Sequence, residues 1–188
     1  RRREARPLTI ALALIGATSF PDTIDICFVG TRRDMLRYAG MGASGMAFPG
    51  RRTLFALANE KEAPVRHELM HMIAMLKWGD PHPSSTWMNE GLAALADDNC
   101  NGLSDEQVYR FLQAKGMRIS IDSLATDFYR QPEMIAYHQA GFIVQHLIRE
   151  YGIEKFRQVW TRGFAAFDDV YRLPFQQVQE SLDARARS

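Results

Sequence analysis

The sequence lacks a charge surplus, has little cysteine and contains no apolar run long enough to cross a membrane. Its 23 basic and 22 acidic side chains give a formal net charge of +1, which argues against nucleic acid as a partner because phosphate binding needs a basic surplus. Cys27 and Cys100 are too few for a disulfide scaffold; they could pair once or both be buried thiols. A membrane anchor would have to come from segments outside this chain, since a spanning helix needs about 18 apolar residues.

The first residues, RRREARPLTIALALIGATS, admit two interpretations. A basic start followed by a short apolar run is similar to a signal peptide. Within residues 8–15, however, large and small side chains alternate, and this period of two predicts a strand, with a short helix as the alternative. For these residues we favour the strand over the helix. For the protein we favour an extracytoplasmic over a cytoplasmic location.

The first third of the chain carries strand signals. TIDICFVG is β-branched and aromatic enough to predict a buried strand, and RRTLFALA, after a turn at Pro49 and Gly50, predicts an edge strand. Between them, Thr31 caps a short helix that ends at Gly40. GMGASG, residues 40–45, matches a dinucleotide-binding pattern, but that pattern needs a strand before it and a helix after it. We therefore interpret it as a glycine loop.

The remaining two thirds carry helix signals. Helices are predicted over residues 64–79, 86–98, 104–116 and 132–151, and in the segments IEKFRQVWTRGF and PFQQVQESL. The fold class predicted is α+β, as one domain over residues 1–188. Its sheet lobe covers residues 1–62 and its helical lobe residues 63–188.

The segment PVRHELMHMI contains the strongest chemical signal. His67 and His71 are four residues apart, so on a helix both rings leave the same face and can converge on one ion. Zinc suits two neutral imidazoles. Glu68, rotated about 100° from His67, lies beside such an ion and can accept a proton from a metal-activated water. The alternative is two core histidines.

A third ligand would decide between a metal site and two core histidines. Glu90, in STWMNEGLAALADD, follows His71 after eighteen intervening residues, enough for a loop that reverses the chain into the next helix. A carboxylate as third ligand leaves the fourth zinc position for water, as in catalytic sites. His82, in a proline-flanked loop, competes for this role. We expect one zinc ion (Zn2+) per chain, held by His67, His71 and Glu90.

HELMH followed after eighteen residues by NEGLA resembles the gluzincin metallopeptidases, the clan of thermolysin and the zinc aminopeptidases. The chain is most similar to the compact peptidase-MA-like domains, and the specific match covers residues 67–93. The resemblance implies a zincin-like fold, with an edge strand of a small N-terminal sheet lobe over the active-site helix and a helical C-terminal lobe. It also implies a zinc-dependent peptidase with a peptide or protein substrate and Glu68 as general base.

Three further residues follow from the resemblance. AYHQAGFIVQHL is similar to the segment in which zinc aminopeptidases carry a tyrosine followed three residues later by a small residue, here Tyr137 and Ala140. The Tyr137 phenol would hydrogen-bond the oxyanion of the reaction, and His138 is the alternative donor. Asp97, two helical turns after Glu90, could orient a zinc-bound imidazole.

One departure from the family bears on specificity. Zinc aminopeptidases recognise the substrate amine with a glutamate in a G-x-M-E-N segment, but SGMAFPG has Ala47 and Phe48 at the acid and amide positions. We therefore expect an endopeptidase rather than an aminopeptidase. Two rival functions are a non-catalytic binding or scaffold domain of the same fold and a zinc hydrolase that acts on non-peptide amides or esters.

Overall fold

The computed structural model describes residues 5–20, 23–58, 63–97 and 102–187, and over these residues the chain is mixed α+β. The helices are α1 (Ala5–Leu14), α2 (Arg32–Ala39), α3 (Val65–Trp78), α4 (Thr86–Asp97), α5 (Asp105–Lys115), α6 (Ile121–Asp127), α7 (Glu133–Tyr151), α8 (Ile153–Arg162), α9 (Phe167–Tyr171) and α10 (Phe175–Arg187). The strands are β1 (Asp25–Val29), β2 (Gly45–Phe48) and β3 (Thr53–Leu57). The chain forms two compact units, Arg1–Lys77 and Trp78–Ser188. None of the helices described could cross a membrane, judged by length and hydropathy together.

The sheet of the first unit has the strand order β1-β3-β2. β3 pairs parallel with β1, where Leu54 lies opposite Ile26, and antiparallel with β2, where Phe55 lies opposite Met46. The prediction that RRTLFALA forms an edge strand is therefore wrong, because β2 folds back beside β3 as a hairpin and β1 occupies its other side. The edges of the described sheet are β1 and β2.

The strand predicted from TIDICFVG is confirmed as β1, but its predicted burial is wrong. Ile26 is 40% exposed and Phe28 is 59% exposed. β-Branched and aromatic residues favour strands in general, but they do not say which face another layer covers. Cys27, on the same strand, is a half-buried free thiol, whereas Cys100 lies outside the described residues.

The N-terminal segment is a helix, not the strand favoured from its alternation. Leu12 and Ile15 are buried beside Ala11, which is the spacing of a helix face rather than of a strand. Alanine and leucine have the highest helix propensities, and here this preference prevails over the period of two.

Helix ends predicted from capping residues are confirmed. The Thr31 side chain accepts a hydrogen bond from the backbone of the first turn of α2, and Gly40 ends that helix in the left-handed conformation. Ser104 and Gln107 form a reciprocal capping box at the start of α5, which ends before Gly116. The predicted helices α3, α4, α7, α8 and α10 are also present, whereas α6 and α9 were not predicted.

In the second unit, α4 packs directly against α7. A Cβ atom on Gly91 would lie 2.7 Å from the carbonyl carbon and oxygen of Ala140 and 2.8 Å from a methyl carbon of Val144. Only glycine fits at this contact, because real Cβ atoms do not approach other atoms so closely. The close approach fixes the part of α4 that carries Glu90.

The start of α4 is anchored to α8. The buried Ser85 hydroxyl donates to the carbonyl of Val159, and the backbone N–H of His82 donates to the carbonyl of Trp160. Trp87, one residue into the helix, is fully buried against Phe164 and Phe175. These contacts hold the helix at the turn that precedes Glu90.

Candidate metal centre

Helix α3 carries the two histidines singled out in the sequence. The rings of His67 and His71 meet edge to face, with centroids 4.7 Å apart and planes at 82°, and their proximity is expected for residues one helical turn apart. His71 is buried and His67 is half-buried. Both imidazoles therefore leave the same side of α3.

Glu68, between these histidines, is also buried, with 8% of its surface exposed. Its side chain lies against the first residue of β2. A Cβ atom on Gly45 would lie 2.5 Å from Glu68 Oε1, 2.6 Å from Glu68 Cγ and 2.8 Å from Pro64 Cγ. The edge strand β2 thus passes next to the candidate base, and glycine at position 45 makes room for it.

Glu90 lies in the first half of α4 and is 5% exposed. Its Oε1 atom accepts a hydrogen bond of 2.7 Å from the phenol of Tyr129. Tyr129 follows α6 in a short 3-10 turn, residues 128–130. We did not predict this contact, because no local motif surrounds Tyr129 and 38 residues separate it from Glu90.

His67, His71 and Glu90 form a group that can hold a metal ion. One ligand atom from each of the three residues lies within 4.8 Å of the ligand atoms of the other two. Neighbouring ligands of a tetrahedral zinc ion are about 3.3 Å apart for bonds of about 2.05 Å, a separation that lies within the 4.8 Å limit of this group. Two imidazole nitrogens and a carboxylate oxygen match the composition of catalytic zinc sites.

His82, the competing third ligand, is exposed and does not belong to this group. Its Nδ1 atom accepts a hydrogen bond from the backbone N–H of Ser84 and lies 3.0 Å from the Ser84 hydroxyl. The ring caps a short 3-10 turn, residues 83–85. This local role accounts for a histidine in the proline-flanked loop.

The remaining predicted site residues lie on α4 and α7. Tyr137 is half-buried, and its ring packs at 5.1 Å from that of Phe128. His138 Nδ1 lies 2.8 Å from Asp105 Oδ1, and both side chains are largely buried. Asp97 is the last residue of α4 and is half-buried, on the same helical face as Glu90 by spacing.

A cavity of about 220 Å³ opens beside the Tyr129 turn. It is lined by Pro83, Thr86 and residues 125–130. Tyr129 belongs to this lining and also donates to Glu90, whereas His67, His71 and Glu90 are not part of the lining.

Comparisons of this chain with protein-family models, with curated proteins and with solved structures find no match. The chemistry of the site therefore follows from its own residues. These are two imidazoles and a carboxylate grouped for a cation, with a second buried carboxylate, Glu68, next to one of the imidazoles in sequence.

Proposed function

We propose that the protein is a zinc-dependent peptidase of the gluzincin type with a zincin-like fold. One observation carries the proposal: the ligand atoms of His67, His71 and Glu90 are grouped for a metal ion, in the order and spacing HExxH-x18-E. Structural zinc sites are usually closed by four protein ligands, whereas three ligands leave a position for water or substrate. A three-ligand group therefore supports a catalytic role.

The donor atoms favour zinc over magnesium or calcium. Imidazole nitrogens suit zinc and later transition metals, whereas magnesium and calcium prefer oxygen ligands alone. When bound, zinc lowers the pKa of a coordinated water to about 7 and polarises a carbonyl group. His67 and His71 would hold the ion through ring nitrogens and Glu90 through a carboxylate oxygen.

In this proposal Glu68 is the general base. It follows His67 directly, so its carboxylate leaves α3 about 100° around the helix from His67 and about 60° from His71, beside the ligands rather than among them. There it accepts a proton from the attacking water and then delivers it to the amine that leaves. Gly45 supports this role, because its missing side chain leaves the space that the Glu68 carboxylate occupies.

Tyr137 is the donor that we assign to the substrate oxyanion. Its hydroxyl would donate to the carbonyl oxygen as negative charge develops there. His138 is the weaker alternative, since its Nδ1 atom is already engaged with Asp105 and its ring is held in the packing of α7 against α5. Asp97 keeps its proposed role of orienting a zinc-bound imidazole.

The substrate would lie along β2. Because β3 is central, the strand addition expected for RRTLFALA moves to β2, an edge of the described sheet that also contacts Glu68. An extended peptide paired with this edge would place its backbone near the base.

The absence of an acid in β2 favours an endopeptidase. The strand reads GMAF, and the half-buried Ala47 and Phe48 cannot pair with a substrate ammonium. Glu60 and Glu62, the nearest acids after β3 in sequence, lie outside the described residues.

The choice between endopeptidase and aminopeptidase is tested with one peptide that carries either a free or an acetylated N-terminus. The cut sites are mapped by mass. We expect cleavage of both; stepwise release of N-terminal residues, stopped by acetylation, would indicate an aminopeptidase.

The experiment that tests the proposed function compares wild type with Glu68→Gln. Zinc content is measured together with cleavage of a general peptide library, and Glu180→Gln, an exposed glutamate on α10, serves as the matched control. We expect Glu68→Gln to keep zinc and its fold but to lose nearly all hydrolysis, because an amide cannot accept the proton. Zinc binding without cleavage of any peptide by wild type would support a binding domain or a hydrolase for other substrates instead.

A further inference from the structure

The candidate metal carboxylate is held by a residue outside the metal-binding motif. The Tyr129 phenol donates a 2.7 Å hydrogen bond to Glu90 Oε1. Glu90 is 5% exposed, whereas Tyr129 is 70% exposed. The hydroxyl of a mostly exposed ring thus reaches a buried acid, and an O–H to carboxylate bond of this kind is among the stronger hydrogen bonds in proteins.

The turn that carries Tyr129 is held on both sides. Phe128, the preceding residue, is 4% exposed and packs against the ring of Tyr137. The backbone N–H of Gln131 donates to the carbonyl of Phe128, and its side-chain amide donates to the carbonyl of Asp127. The phenol is therefore presented from an anchored turn.

The hydrogen bond restricts the orientation of the Glu90 carboxylate, which is otherwise poorly defined in a glutamate ligand. Rotation of the carboxylate about its last side-chain torsion has no sharp minimum, so packing of α4 alone does not decide where each oxygen points. A donor fixed on one oxygen removes this freedom, and a carboxylate that accepts one hydrogen bond can still offer an oxygen to a cation. Such outer partners raise metal affinity by about 10- to 100-fold.

We propose that Tyr129 is a positioning residue for the metal site, which holds Glu90 in the orientation that binds the ion. The inference rests on the proposed role of Glu90 as a metal ligand. It goes beyond the motif, because Tyr129 is assigned neither to the metal nor to the substrate. Its role is exerted through the Glu90 carboxylate, so the first readout is metal affinity rather than turnover.

The experiment measures zinc affinity of wild type, Tyr129→Phe and Glu90→Ala by competition with a chromophoric chelator. Tyr38→Phe, which removes a hydroxyl from another exposed tyrosine, on α2, is the matched control. We expect Tyr129→Phe to weaken zinc affinity about tenfold or more and Tyr38→Phe to leave it within about twofold. Thermal unfolding of the metal-free proteins is measured alongside, because phenylalanine keeps the ring but removes a hydrogen bond to a buried carboxylate, so some loss of stability is expected for Tyr129→Phe as well.

A second readout uses cobalt in place of zinc. The visible absorption of Co2+ depends on ligand geometry, so a reoriented carboxylate should change the spectrum of Tyr129→Phe relative to wild type and Tyr38→Phe. If wild type binds zinc and Glu90→Ala does not, but Tyr129→Phe matches wild type in affinity and spectrum, the positioning role is overturned and the metal site stands. If wild type takes up no zinc, both the metal site and the role of Tyr129 are overturned.

Discussion

Helices α3 and α4 carry the candidate metal ligands, and they hold them in different ways. On α3, His67 and His71 are brought together by the turn of one helix, and their rings are in contact. On α4, Glu90 is a single ligand whose position depends on Gly91 packed against α7 and on the hydroxyl of Tyr129. The first arrangement is local, whereas the second needs elements up to some fifty residues away in sequence.

This difference shows where the site is most vulnerable. The two imidazoles stay on the same side of α3 as long as α3 is helical, because residues i and i+4 share a face in any helix. If Tyr129 positions Glu90 as we propose, the carboxylate should lose its orientation when either the α4–α7 contact or the Tyr129 turn is disturbed. Substitutions should therefore divide into those that remove ligand atoms and those that only misplace them.

The largest expected effect is the removal of the α4 ligand. Glu90→Ala should lower zinc affinity by more than the roughly 10- to 100-fold typical of outer partners, because a ligand atom itself is lost. Metal analysis after purification checks this, with Glu180→Ala as control. Stoichiometric zinc in Glu90→Ala would show that α4 supplies no ligand and that the comparison of the two helices is mistaken.

The next effect concerns the oxyanion donor on α7. Tyr137→Phe should lower kcat by about 100- to 1,000-fold with little change in KM, because such a donor acts mainly in the transition state. His138→Ala tests the alternative donor, His138. Steady-state kinetics of both variants on one peptide shows which residue is the donor. If His138→Ala shows the loss in kcat and Tyr137→Phe does not, the two roles are exchanged.

A third prediction tests how α3 depends on the sheet. Gly45→Ala should reduce turnover on the order of a hundredfold, the cost of a displacement of about 1 Å, because the new Cβ would overlap the Glu68 side chain. Zinc content should stay at the wild-type value. Gly50→Ala is the control in the same hairpin, since a Cβ there meets no atom within 4 Å; equal activity of the two variants would contradict the prediction.

The smallest expected effect concerns stability rather than the site. His146 on α7 is 2% exposed, and burial lowers its pKa, with Arg185 and Arg149 acting in the same direction and Glu150 opposing them. Between the lowered folded pKa and the unfolded value of about 6.5, the unfolded chain binds the proton and the folded chain does not. Stability should therefore fall as the pH drops below about 6.5.

His146→Leu tests this linkage. Thermal unfolding of wild type and variant at about pH 7.5 and about pH 5 should show a smaller loss on acidification in the variant. The other histidines titrate in both proteins, so only the difference between the two proteins is assigned to His146. An equal loss in both would mean that His146 is protonated in the folded chain as readily as in the unfolded one.

Much of the fold could be predicted because helix ends depend on neighbouring residues. Thr31, Gly40, Ser104 and Gly116 cap helices through contacts within a few residues. Two predictions failed where the packing of elements distant in sequence decides the outcome. These are the burial of β1 and the position of β3 within the sheet. The sequence of β3 suits an edge as well as a centre, and only its pairing with β1 and β2 places it in the middle of the sheet. The error at α1 has a local cause instead, because the helix propensity of its alanines and leucines prevails over the alternation of large and small side chains.

The candidate site divides in the same way. The sequence by itself determined that His67 and His71 share a helix face and that Glu68 lies beside them, since the helical repeat sets these angles. Only the tertiary structure decided that Glu90 rather than His82 joins the imidazoles, that Gly45 makes room for Glu68 and that Tyr129 holds Glu90. These contacts join residues far apart in the chain, and their geometry depends on how whole elements pack, which no local pattern encodes.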